Sequence, residues 1–138
     1  MNRTLVIAKP DAVERGLVGE IVRRLEAKGL RFVAAELRTI DEPTAERHYA
    51  EHAGKPFYSD LVSFITRSPS FVMVLEGPED TWKIVRVLMG PTNPAEAPPG
   101  SIRGDLATLM TENLSPGSVS AQAASWEIGI FFPALAGD

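Results

Sequence analysis

Short apolar runs alternate along this chain with segments whose apolar positions recur at helical spacing. Residues 4–8 and 71–75 are short apolar runs, typical of buried strands, and the second is typical of a central strand covered on both faces. The recurring apolar positions predict helices in five segments. They run from Val18 to just before Gly29, over residues 43–52 and 60–67, over residues 79–89, and over about 120–128.

Residues 32–39 show strict alternation instead, with Val33, Ala35 and Leu37 on one face and charged residues on the other. This pattern is typical of a half-solvated strand, so we expect it at a sheet edge. Residues 90–100 contain four prolines and no apolar period, which indicates a stiff, structured loop. Near the end, residues 130–133 form one more apolar segment.

The order of elements is strand, helix, strand, helical insert, strand, helix, then a short strand and a final helix. It predicts an α+β, ferredoxin-like βαββαβ sandwich, with helices on the faces of a four-stranded antiparallel sheet. A doubly wound parallel sheet is the alternative. The half-solvated second strand and the short connection at Gly29 and Leu30 favour the antiparallel arrangement.

The composition favours one compact domain, residues 1–138, with 44% hydrophobic and 23% charged residues. No apolar run approaches membrane-spanning length and no leader pattern is present, so we expect a soluble, cytoplasmic protein without a membrane partner. The absence of cysteine excludes thiolate catalysis and disulfides. The net charge of −4 argues against nucleic-acid binding but not against a nucleotide pocket.

Three cations stand where an element ends or meets a loop: Lys9, Arg86 and Arg103. If they converge, they would bind a di- or triphosphate; the alternative is that they are solvated surface cations. Spacing along the chain cannot decide between the two.

Four other side chains are candidates for contacts with the rest of a nucleotide. Thr92 and Asn113 could add neutral hydrogen bonds, although both residue types are common in turns. Phe57 and Leu61 could sandwich a base, although such a pair at i,i+4 is more often core packing.

Residues 113–120 form a turn signal before the last predicted helix. Pro116 fixes its own φ, Ser115 is pushed towards extended geometry, and Gly117 tolerates positive φ. Proline has neither a nucleophilic lone pair nor a titratable proton, so it cannot attack phosphorus or move a proton.

The run TLVIAKPDAVERGLVGE, residues 4–20, resembles the amino-terminal signature of the nucleoside diphosphate kinase family. The resemblance continues through His48 and Tyr49, residues 55–57, 90–94 and 99–105, so it covers nearly the whole chain. It implies the ferredoxin-like fold, binding of a nucleoside di- or triphosphate with Mg²⁺ held through phosphate oxygens and water, and a homo-oligomer, either tetramer or hexamer.

The resemblance also implies roles for individual residues. Lys9 matches the family's phosphate-binding lysine, Tyr49 the tyrosine beside the catalytic centre, and Phe57, with Leu61 nearby, the base-stacking aromatic. The remaining matches are Arg86, Thr92 and Arg103 as phosphate ligands, Asn113 as the sugar contact, Ser118 as the serine after the catalytic segment, and Glu127 as the glutamate that orients the catalytic imidazole.

The chain departs from the family pattern at the catalytic segment. The family motif reads Asn, two residues, His, Gly, Ser, Asp, and by this correspondence Pro116 stands at the phospho-acceptor histidine and Val119 at the aspartate. One extra residue also lies between Gly77 and Arg86. The resemblance therefore implies a nucleotide site without the phosphohistidine cycle.

Other groups could still carry the chemistry, and the candidates are Glu127, Ser118, Tyr49 and Lys9. Glu127 could act as a general base, whereas the serines lack an evident base and are better suited to capping the helix that starts near Ser120.

Three functional hypotheses follow. The first is an enzyme with altered phosphate chemistry: direct transfer, hydrolysis or elimination. The second is an inactive nucleotide sensor or a partner of an active paralogue. The third is an ordinary phosphotransferase rescued by another residue, with His48 and His52 as the only histidines.

Overall fold

Three antiparallel strands form the central sheet of the structure, a computed structural model that describes residues 2–91, 93–106 and 120–135. The strands are β1 (Asn2–Ala8), β2 (Arg31–Arg38) and β3 (Ser70–Gly77), in the order β1-β3-β2. In register, Leu5 lies opposite Val74, and Val6 lies opposite Met73. The antiparallel arrangement is therefore confirmed, and the parallel alternative is wrong.

Helices connect the strands and cover both faces of the sheet. They are α1 (Pro10–Glu14), α2 (Val18–Ala27), α3 (Glu42–His48), α4 (Tyr58–Thr66), α5 (Thr81–Met89), α6 (Ile102–Leu106) and α7 (Ala121–Phe131), with 3₁₀ turns at Ala50–His52, Pro94–Glu96 and Pro133–Leu135. None of the helices in these ranges is long and apolar enough to cross a membrane.

Side chains of β1 and β3 point alternately into two separate cores. Val6 and Met73 enter the first core, which α1, α2, α5 and α6 close. Leu5 and Val72 enter the second core, which α3, α4 and α7 close. Because both faces are buried, the two strands need apolar residues at nearly every position, which explains their continuous apolar runs.

The edge position predicted for β2 is confirmed, but its predicted buried face is wrong. Leu37 is 59% exposed and Ala35 is also exposed, whereas Phe32 and Val33 are partly buried. The register shifts between Phe32 and Ala34, which marks an irregularity in the strand. A bulge inserts an extra residue and reverses the faces beyond it, so simple alternation fails there.

The apolar segment at residues 130–133 is not a separate element. Helix α7 continues through Ile130 and Phe131, and both side chains are buried in the second core beside β1. The sheet has three strands within the described ranges, where four were predicted; the short strand expected before the final helix falls on residues 107–119, outside those ranges. A short apolar run can belong either to a strand or to the end of a helix, and composition alone does not distinguish the two. Here the run at residues 130–131 is the end of helix α7, which packs against β1.

Helix α5 begins within the segment between Gly77 and Arg86, where the resemblance implies one extra residue. The predicted helix start at residue 79 is two residues early, because Asp80 has φ 62° and ψ 37° and α5 begins at Thr81. Asp80 is the one non-glycine residue with positive φ among the described residues. A single left-handed residue reorients the chain, and α5 then carries Arg86 against α6.

We expect Asp80→Val to lower the free energy of unfolding by about 1–2 kcal/mol relative to Asp80→Gly, because a β-branched side chain resists the left-handed region that glycine accepts. Denaturant unfolding measures the difference. Glu79→Val is the control, since Glu79 is exposed and has no positive φ. Equal stability of Asp80→Val and Asp80→Gly would contradict this assignment.

Candidate active site

Lys9 stands where β1 ends and is turned into the protein. Pro10 follows it as the first residue of α1, which stops the strand, and the Lys9 carbonyl accepts the Ala12 N–H at 2.9 Å. The Lys9 residue is only 5% exposed, and its Nζ lies 5.7 Å from the ring centroid of Phe64 on α4. A lysine in this position is costly to keep charged, and the aromatic ring offsets part of that cost.

Arg103 is also buried, at 3% exposure, on the short helix α6. Its Nη1 donates to the Gly90 carbonyl at 2.7 Å, which ties α6 to the end of α5. The next residue, Gly104, allows this packing, because a Cβ there would lie 2.0 Å from the carbonyl oxygen of Pro98. The proline-rich loop and α6 therefore fit together only with glycine at 104.

The electrostatics show that the predicted cations come together. Burial and then the charge of Arg103 lower the pKa of Lys9 to about 8, and Asp11 opposes this shift. Burial and then the charge of Arg86 lower the pKa of Arg103 to about 10. Each cation therefore acts on the charge state of the next, and α5, which carries Arg86, packs against α6, which carries Arg103. Lys9, Arg103 and Arg86 are termed here the cation cluster. An anion held between them would relieve both burial and repulsion.

A second group of polar side chains lies beside Lys9. His48 ends α3, Tyr49 follows it, and Glu127 reaches them from α7. The His48 Nδ1 is 3.6 Å from the Glu127 Oε2, and the His48 and Tyr49 rings contact each other edge to face, with centroids 4.7 Å apart. Phe131 closes the other side of the imidazole at 5.4 Å.

These groups are shielded from water, which sets their charge states. Burial, then the charges of Lys9 and His52, lower the pKa of His48 to about 4. The imidazole is thus neutral at pH 7, and its contact with Glu127 is not an ion pair. Burial and the charge of Glu127 raise the pKa of Tyr49, so the phenol keeps its proton.

Phe57 lies apart from these buried groups, on an exposed rim. It is 45% exposed, the His52 ring meets it edge to face at 5.3 Å, and the Lys55 Nζ lies 5.8 Å from its centroid. Leu61, one turn later on α4, is partly buried against the second core. An exposed aromatic with a leucine beside it offers an apolar surface to a flat ring.

Part of the predicted site lies outside the described residues. These positions are Thr92, Asn113, Ser115, Pro116, Ser118 and Val119. Ser120 is described, and its side chain accepts the Ala123 N–H at 3.0 Å, so its predicted role as a helix cap is confirmed. Across residues 2–91, 93–106 and 120–135, no three His, Asp or Glu side chains gather as a metal site.

Sequence reasoning missed two contacts of this site. The first is the Phe64 ring, which lies between Lys9 and Arg67, with the Arg67 guanidinium 4.7 Å from its centroid. The second is the approach of His48 to Glu127, since the two are far apart along the chain. A neutral ring carries no sequence signal for a cation partner, and two residues distant along the chain carry no signal that they will be in contact.

Comparison with known proteins gives one consistent result. The sequence profile of the nucleoside diphosphate kinase family matches residues 2–136. A nucleoside diphosphate kinase of Thermomicrobium roseum is 59% identical over 132 residues, which are 96% of this chain and 88% of that protein.

Solved structures agree with this result. The Halobacterium salinarum nucleoside diphosphate kinase in complex with CDP has a TM-score of 0.92 and 50% identity, and the match covers 95% of this chain and 87% of that one. A nucleoside diphosphate kinase family protein of Babesia bovis has a TM-score of 0.94 and 43% identity, covering 99% and 91%. The predicted ferredoxin-like α+β class is confirmed by this similarity.

The lowered pKa of His48 predicts a pH-dependent stability. Between about pH 6.5 and 4 the unfolded imidazole binds a proton that the folded one does not, so the free energy of unfolding falls as the pH falls through this window. The full effect is about 3 kcal/mol. We expect His48→Gln to remove this slope in denaturant unfolding between pH 7 and 5. If wild type and His48→Gln showed parallel pH profiles, the buried neutral state of His48 would be wrong.

Proposed function

The chain belongs to the nucleoside diphosphate kinase family, and from this premise we propose that it binds the phosphates of a nucleoside di- or triphosphate at Lys9, Arg86 and Arg103. The observation that carries the proposal is the electrostatic coupling of Lys9 with Arg103 and of Arg103 with Arg86. Cations that repel each other in a buried place are stabilised by a polyanion and by little else.

The rest of the nucleotide fits around this cluster. The exposed Phe57, with Leu61 beside it, would stack on the base, while Thr92 and Asn113 would contribute hydrogen bonds to phosphate and sugar. Mg²⁺ would be held by phosphate oxygens and water and would neutralise phosphate charge, so the chain needs no carboxylate cage for it. The complex of the Halobacterium salinarum enzyme with CDP supports a nucleotide as the ligand.

The proposal extends to residue 116. By the resemblance to the family motif, Pro116 would stand at the phospho-acceptor position and Val119 at the aspartate position. A proline there cannot form a phosphohistidine, so phosphoryl chemistry in this chain does not pass through residue 116. The cation cluster would still stabilise charge on a transferring phosphoryl group, which favours an enzyme with altered phosphate chemistry over an inert binder.

Analysis of nucleotides by chromatography and mass spectrometry separates these outcomes. The protein is incubated with Mg²⁺ and a panel of nucleoside di- and triphosphates until slow reactions are visible. New products support an enzyme, whereas tight binding with unchanged ligands supports a nucleotide sensor. Absence of binding to every nucleotide would contradict the proposed function as a whole.

Removal of one cluster charge should weaken nucleotide binding. We expect Arg86→Ala to raise the Kd for Mg²⁺-ATP about 10- to 100-fold, since a charge-assisted hydrogen bond contributes roughly 1.5–3 kcal/mol. Calorimetric titration measures it. Arg23→Ala is the matched control, because Arg23 is an exposed arginine on α2 whose partner is Glu20. Equal Kd values for the two variants would exclude Arg86 as a phosphate ligand.

A histidine at 116 should restore the missing acceptor if the pocket is otherwise intact. We expect Pro116→His incubated with γ-labelled ATP to carry acid-labile phosphate on residue 116, located by mass spectrometry of the peptides. The rate should stay below that of ordinary family kinases, since Val119 lacks a charge. Unlabelled residue 116 in a variant that still binds ATP would mean that the pocket differs beyond this residue.

A further inference from the structure

Phe64 is a buried aromatic residue that the proposed nucleotide site leaves without a role. It lies on α4, is 5% exposed, and contacts two cations through its ring. The Lys9 Nζ lies 5.7 Å from the ring centroid, and the Arg67 guanidinium lies 4.7 Å from it. Both distances are within the range of a cation–π interaction. One ring therefore contacts the lysine proposed to bind phosphate and a second cation as well.

The second cation is held in place from α1. The Arg67 Nε donates to the Glu14 Oε2 at 3.1 Å, its Nη2 donates to Oε1 at 2.5 Å, and the Ser68 hydroxyl donates to the same carboxylate at 2.5 Å. This exposed pair adds little stability, but its two-pronged geometry restricts where the guanidinium lies. Glu14 is the last residue of α1, and Lys9 directly precedes the first. The contacts at both ends of α1 therefore lead to the Phe64 ring.

The charge of Lys9 is sensitive to its surroundings, because burial and Arg103 lower its pKa to about 8. A small change in interaction free energy then changes the charged fraction of the amine near neutral pH. The face of an aromatic ring attracts the ammonium form and not the neutral amine, so Phe64 acts in the same direction as Asp11 and against Arg103. Titratable and charged groups around this contact come from several elements: Asp11 and Glu14 on α1, His48 on α3, Arg67 after α4, and Arg103 on α6.

We propose that Phe64 is a positioning residue for phosphate binding, whose ring holds the ammonium group of Lys9, in its charged form, at the end of β1. The proposal rests on the proposed function, because it takes Lys9 as a phosphate ligand. Phe64 acts through Lys9 and needs no contact with the nucleotide. A lysine side chain has many rotamers, so a contact that restricts its ammonium group before the phosphate arrives also reduces the entropy lost on binding.

Helix α4 also joins this contact to the rim proposed for the base. Phe57, Leu61 and Phe64 are spaced i, i+4 and i+7, so they lie along one face of the helix. Their burial increases in that order, since Phe57 is 45% exposed, Leu61 is partly buried and Phe64 is 5% exposed. The same helix face therefore begins at the exposed rim and ends at the ring beside Lys9.

The first test needs no nucleotide. The chain has four lysines, so NMR of ¹³C-labelled lysine Cε over a pH titration resolves the pKa of Lys9, with Lys9→Arg to assign its signal. We expect Phe64→Leu to lower this pKa, because leucine fills similar space without a negative ring face. Phe64→Tyr should leave it unchanged, because tyrosine keeps the ring. Phe32→Leu is the matched control, since Phe32 is a partly buried ring on β2 that packs against the first core.

The second test measures nucleotide binding at two pH values. Calorimetric titration with Mg²⁺-ATP should give a Kd for Phe64→Leu that is about 3- to 10-fold above wild type at pH 8. The ratio should be smaller at pH 6.5, where Lys9 is protonated in both proteins. A merely structural role would raise the Kd by the same factor at both pH values. Circular dichroism checks folding, and Phe64→Met, whose unbranched side chain adapts to an irregular space, replaces Phe64→Leu if that variant does not fold.

Three results would overturn the proposal. They are an unchanged pKa of Lys9 in Phe64→Leu, an equal fall of that pKa in Phe64→Tyr, and a rise in Kd that is the same at both pH values. Each of them leaves the proposed nucleotide site standing. Failure of the wild-type protein to bind any nucleotide would instead remove the proposed function, while the titration of Lys9 without nucleotide would still report on the ring contact, so the two failures are distinguishable.

Discussion

Mutual repulsion of buried cations is the constraint on which this site depends. Lys9 and Arg103 are nearly inaccessible to water, and the charges of the cluster lower the pKa of both groups. Keeping such charges in place costs several kcal/mol of folding free energy per ion, which the two apolar cores must offset. A pocket that holds this charge in advance does not need to reorganise when an anion arrives, so under the proposed function the cost in stability would be a gain in phosphate binding.

The two-sided sheet explains how these groups reach one place. Helices α5 and α6 belong to the first core and bring Arg86 and Arg103, whereas α3 and α7 belong to the second core and bring His48 and Glu127. Strand β1 contributes to both cores, and Lys9 follows its last residue. The cations and the imidazole–carboxylate pair therefore approach each other near the end of β1, which contributes side chains to both layers. The first layer therefore positions the two arginines, and the second positions the imidazole and the carboxylate.

Some of this arrangement was predictable from sequence, and some depended on tertiary contacts. The continuous apolar runs of β1 and β3 and the left-handed Gly29 after α2 follow from local rules, and the structure agrees with them. The exposure of Leu37 does not follow from local rules, because an alternating sequence pattern gives no sign of the register shift in β2. Convergence of Lys9 with Arg103 likewise required the fold, since 94 positions separate them. The left-handed backbone of Asp80 was not predicted, because an aspartate before a helix usually caps it from the extended region.

The consequence of a proline at residue 116 depends on how a phosphoryl-transfer site divides its work. The transferring phosphoryl group spreads its charge over the phosphate oxygens, and positioned cations supply most of the stabilisation. That part of the site is independent of which side chain attacks. With proline at residue 116, the proposed phosphate contacts at Lys9, Arg86 and Arg103 would therefore be kept, while the attacking group would have to come from elsewhere.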